Sequence, residues 1–297
     1  MDVYKGLRRR AVIVHRRTEL ESLIDRHVTR GQVEFFLSSR GRSLAAVQAS
    51  HDRITQARRD VARGLPDDWV VADVERADLD RFLFAPEDVI AVIGQDGLVA
   101  NVAKYLAGQL VVGIDPEPGQ NAGVLVRHDP GAGLALLLNP ASARAVTLAT
   151  VELRTDSGES IVGLNEVYLG QPTHQSARYV ITAPTGRERQ SSSGVIVATG
   201  AGSTGWSASL AHDRGLAWLP QLGDATLAWF VREAWPSPVT GVKLTAGLLD
   251  PKQTLTVEVE SDELVAFSDG VESDRVRVSW GQSVEVGAGP NPVRLAL

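Results

Sequence analysis

Four residues with phosphate-binding potential, Gly94-Gln95-Asp96-Gly97, follow the apolar run Val89–Ile93 and precede a helical pattern. Where a strand breaks into such a turn and then begins a helix, backbone N–H groups and the positive helix end meet at the carboxyl edge of the strand, as in phosphate-binding loops. A carboxylate at Asp96 would repel phosphate, so its chemistry would be that of a general base or of a metal ion bridged to phosphate. The alternative is a tight strand-to-helix turn without a ligand.

A second glycine-rich segment follows the apolar run Val195–Thr199. Gly200–Gly205 formally matches the dinucleotide fingerprint G-x-G-x-x-G, and Asp224 lies near the position of a ribose-binding acid. The fingerprint belongs in the first βαβ unit, whereas this segment lies mid-chain with no evident parallel crossover after it. The segment therefore supports a Rossmann dehydrogenase only weakly. It favours instead a loop before Trp206 that binds a polar heterocycle or a ribose.

A third candidate is the polar pair Asn165-Glu166, within the predicted strand run Leu164–Leu169. Side chains alternate along a strand, so the two point to opposite faces, yet at a strand end both could reach a ribose and a base edge. Taken alone, such a pair is more often part of a surface than of a site. Asp269-Gly270 is interpreted as a hairpin turn. The six histidines show no metal-ligand spacing, so no metal site built from protein side chains is expected.

The elements that position the first motif are short apolar runs, typical of parallel strands buried on both faces. These runs are Ala11–Val14, Trp69–Val74, Val89–Ile93 and Leu110–Ile114. Between the first two, Ser43 could cap a helix whose apolar residues from Leu44 to Leu65 recur at helical spacing. Strands alternating with helices predict an α/β domain with a parallel, doubly wound sheet, in which ligands bind at the carboxyl ends of the strands.

Beyond Gly113 the pattern changes, because the Pro- and Gly-rich stretch Asp115–Gly133 is typical of a linker or crossover. The short strand-like runs that follow are separated by turn residues, and they predict an antiparallel, β-rich, sandwich-like domain. The runs are Val146–Leu153, Leu164–Leu169, Arg178–Thr182, Val195–Thr199, Leu255–Val259, Leu264–Phe267, Val276–Ser279 and Val284–Val286. We therefore expect two domains, residues 1–125 and 126–297, and leave open whether the C-terminus crosses back.

Composition excludes several classes of protein. The 297 residues carry a net charge of −6, which provides no overall basic field for nucleic acid. The longest apolar stretch, Gly131–Leu138, is far shorter than the roughly 18 residues of a membrane span, so no membrane partner is expected. Without cysteine there is no disulfide framework and no thiolate chemistry, and by elimination the expected compartment is the cytoplasm.

Taken together and in order, the three motifs resemble those of the NAD kinase family. Gly94–Gly97 corresponds to the family's GGDG loop, Asn165-Glu166 to its Asn-Glu pair, and Gly202–Trp206 to its Gly-rich T-G-S-T-A-Y type loop. Three longer stretches look most like the mitochondrial-type branch and its bacterial relatives. These are Gly113–Leu125, Leu164–Gly170 and Ser191–Trp206. The resemblance spans most of the chain and implies the same two-domain architecture.

The resemblance implies transfer of a phosphoryl group from ATP, or polyphosphate, to the 2′-hydroxyl of the adenosine ribose of NAD, giving NADP. Asp96 would be the base that takes the hydroxyl proton, and Mg²⁺ would be bridged through phosphates. The first domain would bind the phosphate donor and the second would bind NAD. The implied nucleotide-binding residues are Gly94, Gln95, Gly97, Asn165, Glu166, Gly202, Ser203, Thr204, Gly205, Trp206 and Ser209. Trp206 could stack on a base or pack in the core.

Two residues depart from the family pattern: Gln95 replaces the second loop glycine, and Leu98 replaces a Thr or Ser. A side chain at Gln95 would crowd the triphosphate if the backbone needed positive φ or a close approach. Leu98 lacks the hydroxyl of Thr or Ser, whose hydrogen bond to phosphate, if charge-assisted, would contribute about 1.5–3 kcal/mol. Because Asp96 is retained, a working kinase is expected.

The alternatives are a non-catalytic NAD or NADP sensor on the same fold, a Rossmann dehydrogenase, and a related kinase acting on a lipid or sphingoid acceptor. Asn165-Glu166 together with the Gly202 loop favours the dinucleotide over the lipid. The phosphoryl donor and the preference between NAD and NADH stay open. A homodimer or higher homo-oligomer is expected from the resemblance alone.

Overall fold

The computed structural model describes residues 9–119 and 123–297, so residues 120–122 of the stretch Gly113–Leu125 lie outside the described residues. The chain divides into two compact units, Met1–Val146 with Arg294–Leu297, and Thr147–Val293. The division falls after the expected boundary at residue 125 because helix α5 (Pro130–Leu138) packs on the sheet and core of the first unit. The last residues of the chain return to that unit.

The first unit contains a six-stranded sheet in the order β2-β1-β3-β4-β18-β5. Its strands are β1 (Arg10–His15), β2 (Val70–Glu75), β3 (Val89–Ile93), β4 (Leu110–Ile114), β5 (Ala145–Leu148) and β18 (Val293–Ala296). The pairs β1–β2, β1–β3, β3–β4 and β4–β18 are all parallel. The four predicted strands are thus confirmed, and every residue of β3 and β4 is buried.

The helices of this unit are α1 (Glu19–His27), α2 (Arg30–Ser38), α3 (Leu44–Gly64), α4 (Asp96–Ala103) and α5, with a 3₁₀ helix at Arg76–Arg81. α3, α4 and α5 pack on the sheet, whereas α1 and α2 pack with α3 in a separate apolar cluster. Ala57 and Val61 of α3 and Leu137 of α5 pack in one core with the alternate residues of β1, β3 and β4. Ser43 is the N-cap residue of α3 as predicted, but its side chain makes no capping hydrogen bond.

The second unit contains two antiparallel sheets, ordered β10-β9-β14-β17-β6-β7 and β13-β12-β11-β8-β15-β16. The first comprises β6 (Val151–Thr155), β7 (Ser160–Gly163), β9 (Ala177–Ala183), β10 (Gly186–Ser192), β14 (Leu255–Val259) and β17 (Ser283–Ala288). The second comprises β8 (Glu166–Gly170), β11 (Gly194–Ala198), β12 (Leu227–Arg232), β13 (Ala246–Leu249), β15 (Glu263–Ser268) and β16 (Val271–Ser279). Buried residues of both sheets share one core, which confirms the β-rich, sandwich-like character of this unit.

One predicted strand is wrong as a single element. The run Val146–Leu153 divides into β5 and β6, which belong to different sheets. Five strands, β7, β10, β12, β13 and β18, lie outside the predicted runs. β10 has the sequence GRERQSS and lies at the edge of its sheet, where polar side chains face solvent. Within residues 9–119 and 123–297, no helix is both long and apolar enough to span a membrane.

Candidate functional site

The loop at Gly94–Gly97 lies at the carboxyl end of β3, where ligands bind in parallel sheets. The Gly94 N–H donates to the Ile114 carbonyl over 3.1 Å, which holds this loop against the end of β4. Gln95 is the N-cap residue of α4, and Asp96 is the first residue of that helix. Gln95 has φ −112° and ψ 164°, an extended conformation open to any residue, and its side chain is exposed. Positive φ is therefore not required at Gln95.

The carboxylate of Asp96 binds backbone from the segment that follows β4. It accepts hydrogen bonds from the N–H groups of Val124 (2.7 Å), Leu125 (3.0 Å) and Val126 (2.9 Å). Gly123 lies so close that a Cβ there would come within 2.5 Å of Asp96 Oδ1. Nothing in the local sequence around Asp96 predicts this contact with residues 28 to 30 positions away.

Counting only partners within residues 9–119 and 123–297, these three bonds leave the Asp96 carboxylate one acceptor position. Oδ1 accepts from both Leu125 and Val126, whereas Oδ2 accepts only from Val124. A carboxylate offers about two acceptor sites on each oxygen, so the remaining one lies on Oδ2. Asp96 is half-buried. Its geometry thus combines a structural role with room for one further hydrogen bond, as from a substrate hydroxyl.

Two neighbours of Asp96 on α4 differ in what they present to a ligand. A Cβ built at Gly97 would meet no atom within 4 Å, so the space beside this glycine is open. Leu98 is only 5% exposed and packs in the interior, where its side chain cannot contact a phosphate group. Leu98 therefore contributes no side-chain contact to phosphate, whereas the backbone N–H groups at the start of α4 favour anions.

Basic and acidic side chains also meet at the carboxyl end of β1. His15 ends that strand, and its Nε2 lies 2.9 Å from a guanidinium nitrogen of Arg58 on α3. Arg58 also donates to Asp73 over 2.7 Å. Burial, and secondly the charge of Arg58, lower the pKa of His15, so its imidazole is neutral at pH 7 and accepts from Arg58. The scattered histidines give no sequence signal for this arrangement.

In the second unit, the glycine-rich loop lies directly against the Asn-Glu pair. Thr199 donates its N–H to the Asn165 carbonyl over 2.9 Å and its hydroxyl to the Leu164 carbonyl over 2.5 Å. A Cβ at Gly202 would come within 2.3 Å of the Asn165 carbonyl oxygen, so only glycine permits this approach. Two motifs that lie more than thirty residues apart in the chain are thus in direct contact next to Glu166.

The loop itself is a short 3₁₀ helix, Ala201–Thr204, followed by α6 (Trp206–Asp213). Its inner side is fixed by the buried Ser207, whose hydroxyl donates to the Gly202 carbonyl over 2.7 Å, and by a longer bond of 3.3 Å from Ser203 to the Thr199 carbonyl. Its outer side consists of exposed residues. These are Thr204, Gly205 and Ser209. The outer side therefore has hydroxyl groups and backbone available to a ligand.

The topology around this loop rejects the Rossmann interpretation. β11, which precedes the loop, pairs with β12 in antiparallel fashion, whereas the dinucleotide fingerprint requires a parallel βαβ crossover. Asp224 accepts the N–H of Gln221 over 2.7 Å within its own turn. The match to G-x-G-x-x-G is therefore formal only.

Trp206 already has protein partners on its ring. It stacks on Tyr168 with ring centroids 5.6 Å apart and an interplanar angle of 22°. The guanidinium of Arg232 lies 4.7 Å from the centroid of the Trp206 indole. The indole is partly buried against the cluster of apolar residues beneath α6, so packing accounts for much of its surface.

Asp269 is a residue of this site that the sequence did not indicate. Asp269-Gly270 forms the turn between β15 and β16, as predicted. The Asp269 carboxylate, however, accepts the N–H groups of Leu164 (2.9 Å), Asn165 (2.7 Å) and Glu166 (3.3 Å), which lie more than a hundred positions away. The only sequence signal was an Asp-Gly dipeptide, which is explained equally well by the turn alone.

Glu166 is half-buried and lies beside this second carboxylate. Burial, and secondly the charge of Asp269, raise the pKa of Glu166 to about 7. Glu166 therefore changes between a neutral donor and an ionised acceptor near neutral pH. Within the described residues, no group of three or more His, Asp or Glu side chains could hold a metal ion.

We expect Glu166→Gln to change how stability depends on pH. An acid whose pKa is higher in the folded chain, about 7, than its ordinary value of 4.5 stabilises the fold fully below pH 4.5, and this contribution is lost as pH rises through 7. The shift corresponds to about 3 kcal/mol. The free energy of unfolding of the variant minus that of the wild-type protein should therefore increase by about 3 kcal/mol as the pH rises from 4.5 to above 7.

Urea unfolding followed by tryptophan fluorescence is suited to this measurement, because five of the six tryptophans lie in the second unit. All other ionisable groups are shared by the two proteins, so the difference between their pH profiles isolates Glu166. Parallel profiles for wild type and variant would show that Glu166 has an ordinary pKa.

Comparison with known proteins identifies a shared fold. No protein-family model and no curated protein sequence matches this chain. A crystal structure of yeast NADH kinase complexed with NADH matches it with a TM-score of 0.61, over 98% of this chain and 84% of that chain, at 12% sequence identity. The chain therefore has the fold of that kinase, an α/β unit with a mostly parallel sheet joined to a β-rich unit of antiparallel sheets.

Proposed function

We propose that this protein is an NAD kinase, most similar to the mitochondrial-type branch. The 2′-hydroxyl oxygen of the adenosine ribose of NAD attacks the terminal phosphorus of ATP or polyphosphate. The new bond joins that oxygen to phosphorus, the bond to the leaving phosphate breaks, and the hydroxyl proton passes to Asp96. The products are NADP and ADP, or a shortened polyphosphate.

The observation that carries this proposal is the joining of Asn165-Glu166 to the glycine-rich loop through Thr199 and Gly202. A carboxyl group and an amide side chain beside a hydroxyl-rich loop suit the ribose and adenine of a dinucleotide. The loop residues proposed to contact that part of NAD are Ser203, Thr204, Gly205, Trp206 and Ser209. The solved kinase of the same fold is itself complexed with NADH, which supports a dinucleotide as substrate.

For the phosphoryl donor, the proposed site is the loop Gly94–Gly97. Its helix N-terminus and open glycine suit a triphosphate, and the free position on Asp96 Oδ2 suits the substrate hydroxyl. Mg²⁺, when bound through the phosphates, would neutralise the charge that develops during transfer. We further propose that the protein acts in the cytoplasm as a homodimer or higher homo-oligomer.

The test is an assay of NADP formation coupled to an NADP-specific dehydrogenase, with Mg²⁺ present. NAD and NADH are compared as acceptors, and ATP and polyphosphate as donors. NADP or NADPH formed with at least one pair supports the kinase, and the pair that works identifies its specificity. No product with any of the four pairs would reject it.

A second candidate is an NAD or NADP sensor without phosphoryl transfer. It is favoured by the occupied carboxylate of Asp96, three of whose acceptor positions bind backbone, and by the buried apolar side chain of Leu98. Micromolar NAD binding by calorimetry without turnover would support the sensor. Turnover with any donor would exclude it.

A further inference from the structure

The carboxylate of Asp269 and the backbone of Leu164–Glu166 form a hydrogen-bonded assembly between distant parts of the chain. On this basis we propose that Asp269 is a positioning residue, which sets the backbone from which Asn165 and Glu166 reach the dinucleotide. This inference rests on the proposed function. Asp269 would not touch NAD and would act through the two residues that do.

The bonding is reciprocal and specific. The Asp269 N–H donates to the Glu166 carbonyl over 3.1 Å, while its carboxylate accepts from Leu164, Asn165 and Glu166. Oδ2 accepts the N–H of Leu164, and Oδ1 accepts those of Asn165 and Glu166. A hairpin turn alone requires none of these side-chain bonds, since its own backbone closes it.

The turn has left-handed backbone at both of its residues, as favoured two-residue hairpin turns of type I′ do. Asp269 has φ 51° and Gly270 has φ 68°, so two successive residues lie in the left-handed region. Asp tolerates this region better than most residues, and glycine adopts it freely. On the other side of the pair, Thr199 and Gly202 hold the same backbone. Asn165 is therefore fixed from two directions.

Asp269 also acts on Glu166 through its charge. Burial is the largest cause of the raised pKa of the Glu166 carboxyl, and the charge of Asp269 is the second. From the other neighbouring strand, β11, the residue paired with Glu166 is the uncharged Ala198. Loss of the Asp269 charge should therefore move the titration of Glu166 to lower pH, an effect that a purely structural turn residue would not produce.

The test compares Asp269→Asn with wild type and with Asp156→Asn in the full chain. In Asp269→Asn the amide oxygen can still accept from Asn165 or Leu164, but the amide nitrogen cannot replace the second acceptor. Asp156 is the matched control, because it also sits in a hairpin turn of the second unit and accepts a backbone N–H, that of Ser283, over 3.0 Å. Within the described residues, the Asp156 carboxylate binds Gln282 and Ser283, and not Asn165 or Glu166.

We expect Asp269→Asn to weaken NAD binding roughly tenfold by calorimetry, as for a lost charge-assisted hydrogen bond, and to raise KM for NAD with KM for the phosphoryl donor unchanged. NMR of the labelled Glu166 carboxyl should show a midpoint near pH 7 in wild type and a lower midpoint in the variant. Asp156→Asn should match wild type in both measurements. If Asp269→Asn does not fold, Asp269→Ser, with a smaller uncharged acceptor, takes its place.

Unchanged affinity for NAD and an unchanged Glu166 midpoint in a folded Asp269 variant would overturn the positioning role. Equal losses of NAD affinity in Asp269→Asn and Asp156→Asn would also overturn the positioning role, because the effect would then be one of general stability. If wild type itself fails to bind NAD, the proposed function fails along with this inference. A wild type that binds NAD but phosphorylates neither NAD nor NADH refutes the kinase and leaves the positioning role to be decided by the variants.

Discussion

Replacement of Asp96 by asparagine is expected to reduce NADP formation by roughly 10²–10⁴-fold, the usual contribution of a positioned general base. The variant loses the group that takes the proton from the 2′-hydroxyl. It also loses one of the two carboxylate oxygens that accept the backbone N–H groups of Val124, Leu125 and Val126. An unsatisfied N–H in that segment should lower the free energy of unfolding by about 1–3 kcal/mol. Initial rates with saturating NAD and donor measure the first effect, and urea unfolding measures the second.

Asp88→Asn is the matched control, because Asp88 lies just before β3 and Asp96 lies just after it. Its carboxylate also accepts three hydrogen bonds, two from Arg10 (2.8 and 2.7 Å) and one from the Ala85 N–H (2.7 Å). The control should lose a similar amount of stability and retain most of its activity at a temperature where both variants are folded. Equal activities of Asp96→Asn and Asp88→Asn would show that Asp96 is structural only.

Gly202→Ala is expected to weaken NAD binding roughly 10²-fold, since displacement of a binding group by about 1 Å has effects of this size. The added Cβ would lie 2.3 Å from the Asn165 carbonyl oxygen and 2.8 Å from its carbon. Both contacts are with backbone, so the loop and the Asn165 backbone must separate. The energetic cost of such overpacking is typically about 1–3 kcal/mol of stability.

Gly31→Ala provides the control for this substitution. Gly31 lies in α2, and a Cβ built there meets no atom within 4 Å. Alanine should stabilise that helix by roughly 0.5–1 kcal/mol and leave NAD affinity unchanged. Calorimetric titration with NAD separates the two variants. Wild-type affinity in Gly202→Ala would mean that the loop and the Asn-Glu pair do not bind NAD as one surface.

Much of the fold can be predicted from the sequence, for reasons that differ between the two units. The strands β1, β3 and β4 are short β-branched runs buried on both faces, so their apolar character is continuous and easy to recognise. The turn at Asp269-Gly270 has a local signature as well. β5 and β6 are different, because only Ala149 and Thr150 separate two strands of different sheets, and no turn signal stands between them.

The candidate site is only partly predictable because its residue types are local but its contacts are not. Asp96, Asn165, Glu166 and Gly202 can be recognised from the residues around them. The bonds from Asp269 to the Asn-Glu pair, and from Asp96 to the segment after β4, join residues far apart in the chain. Such contacts depend on sheet order, which hydrophobic periodicity does not specify.

The most direct measurement of the central claim is phosphorus NMR of NAD incubated with ATP, Mg²⁺ and the wild-type protein. We predict a new phosphomonoester signal from the 2′-phosphate of NADP, appearing one for one with ADP, and no such signal with Asp96→Asn. If NAD binds to the wild-type protein while NAD and ATP remain unchanged, and neither NADH as acceptor nor polyphosphate as donor gives a signal, the protein is not an NAD or NADH kinase.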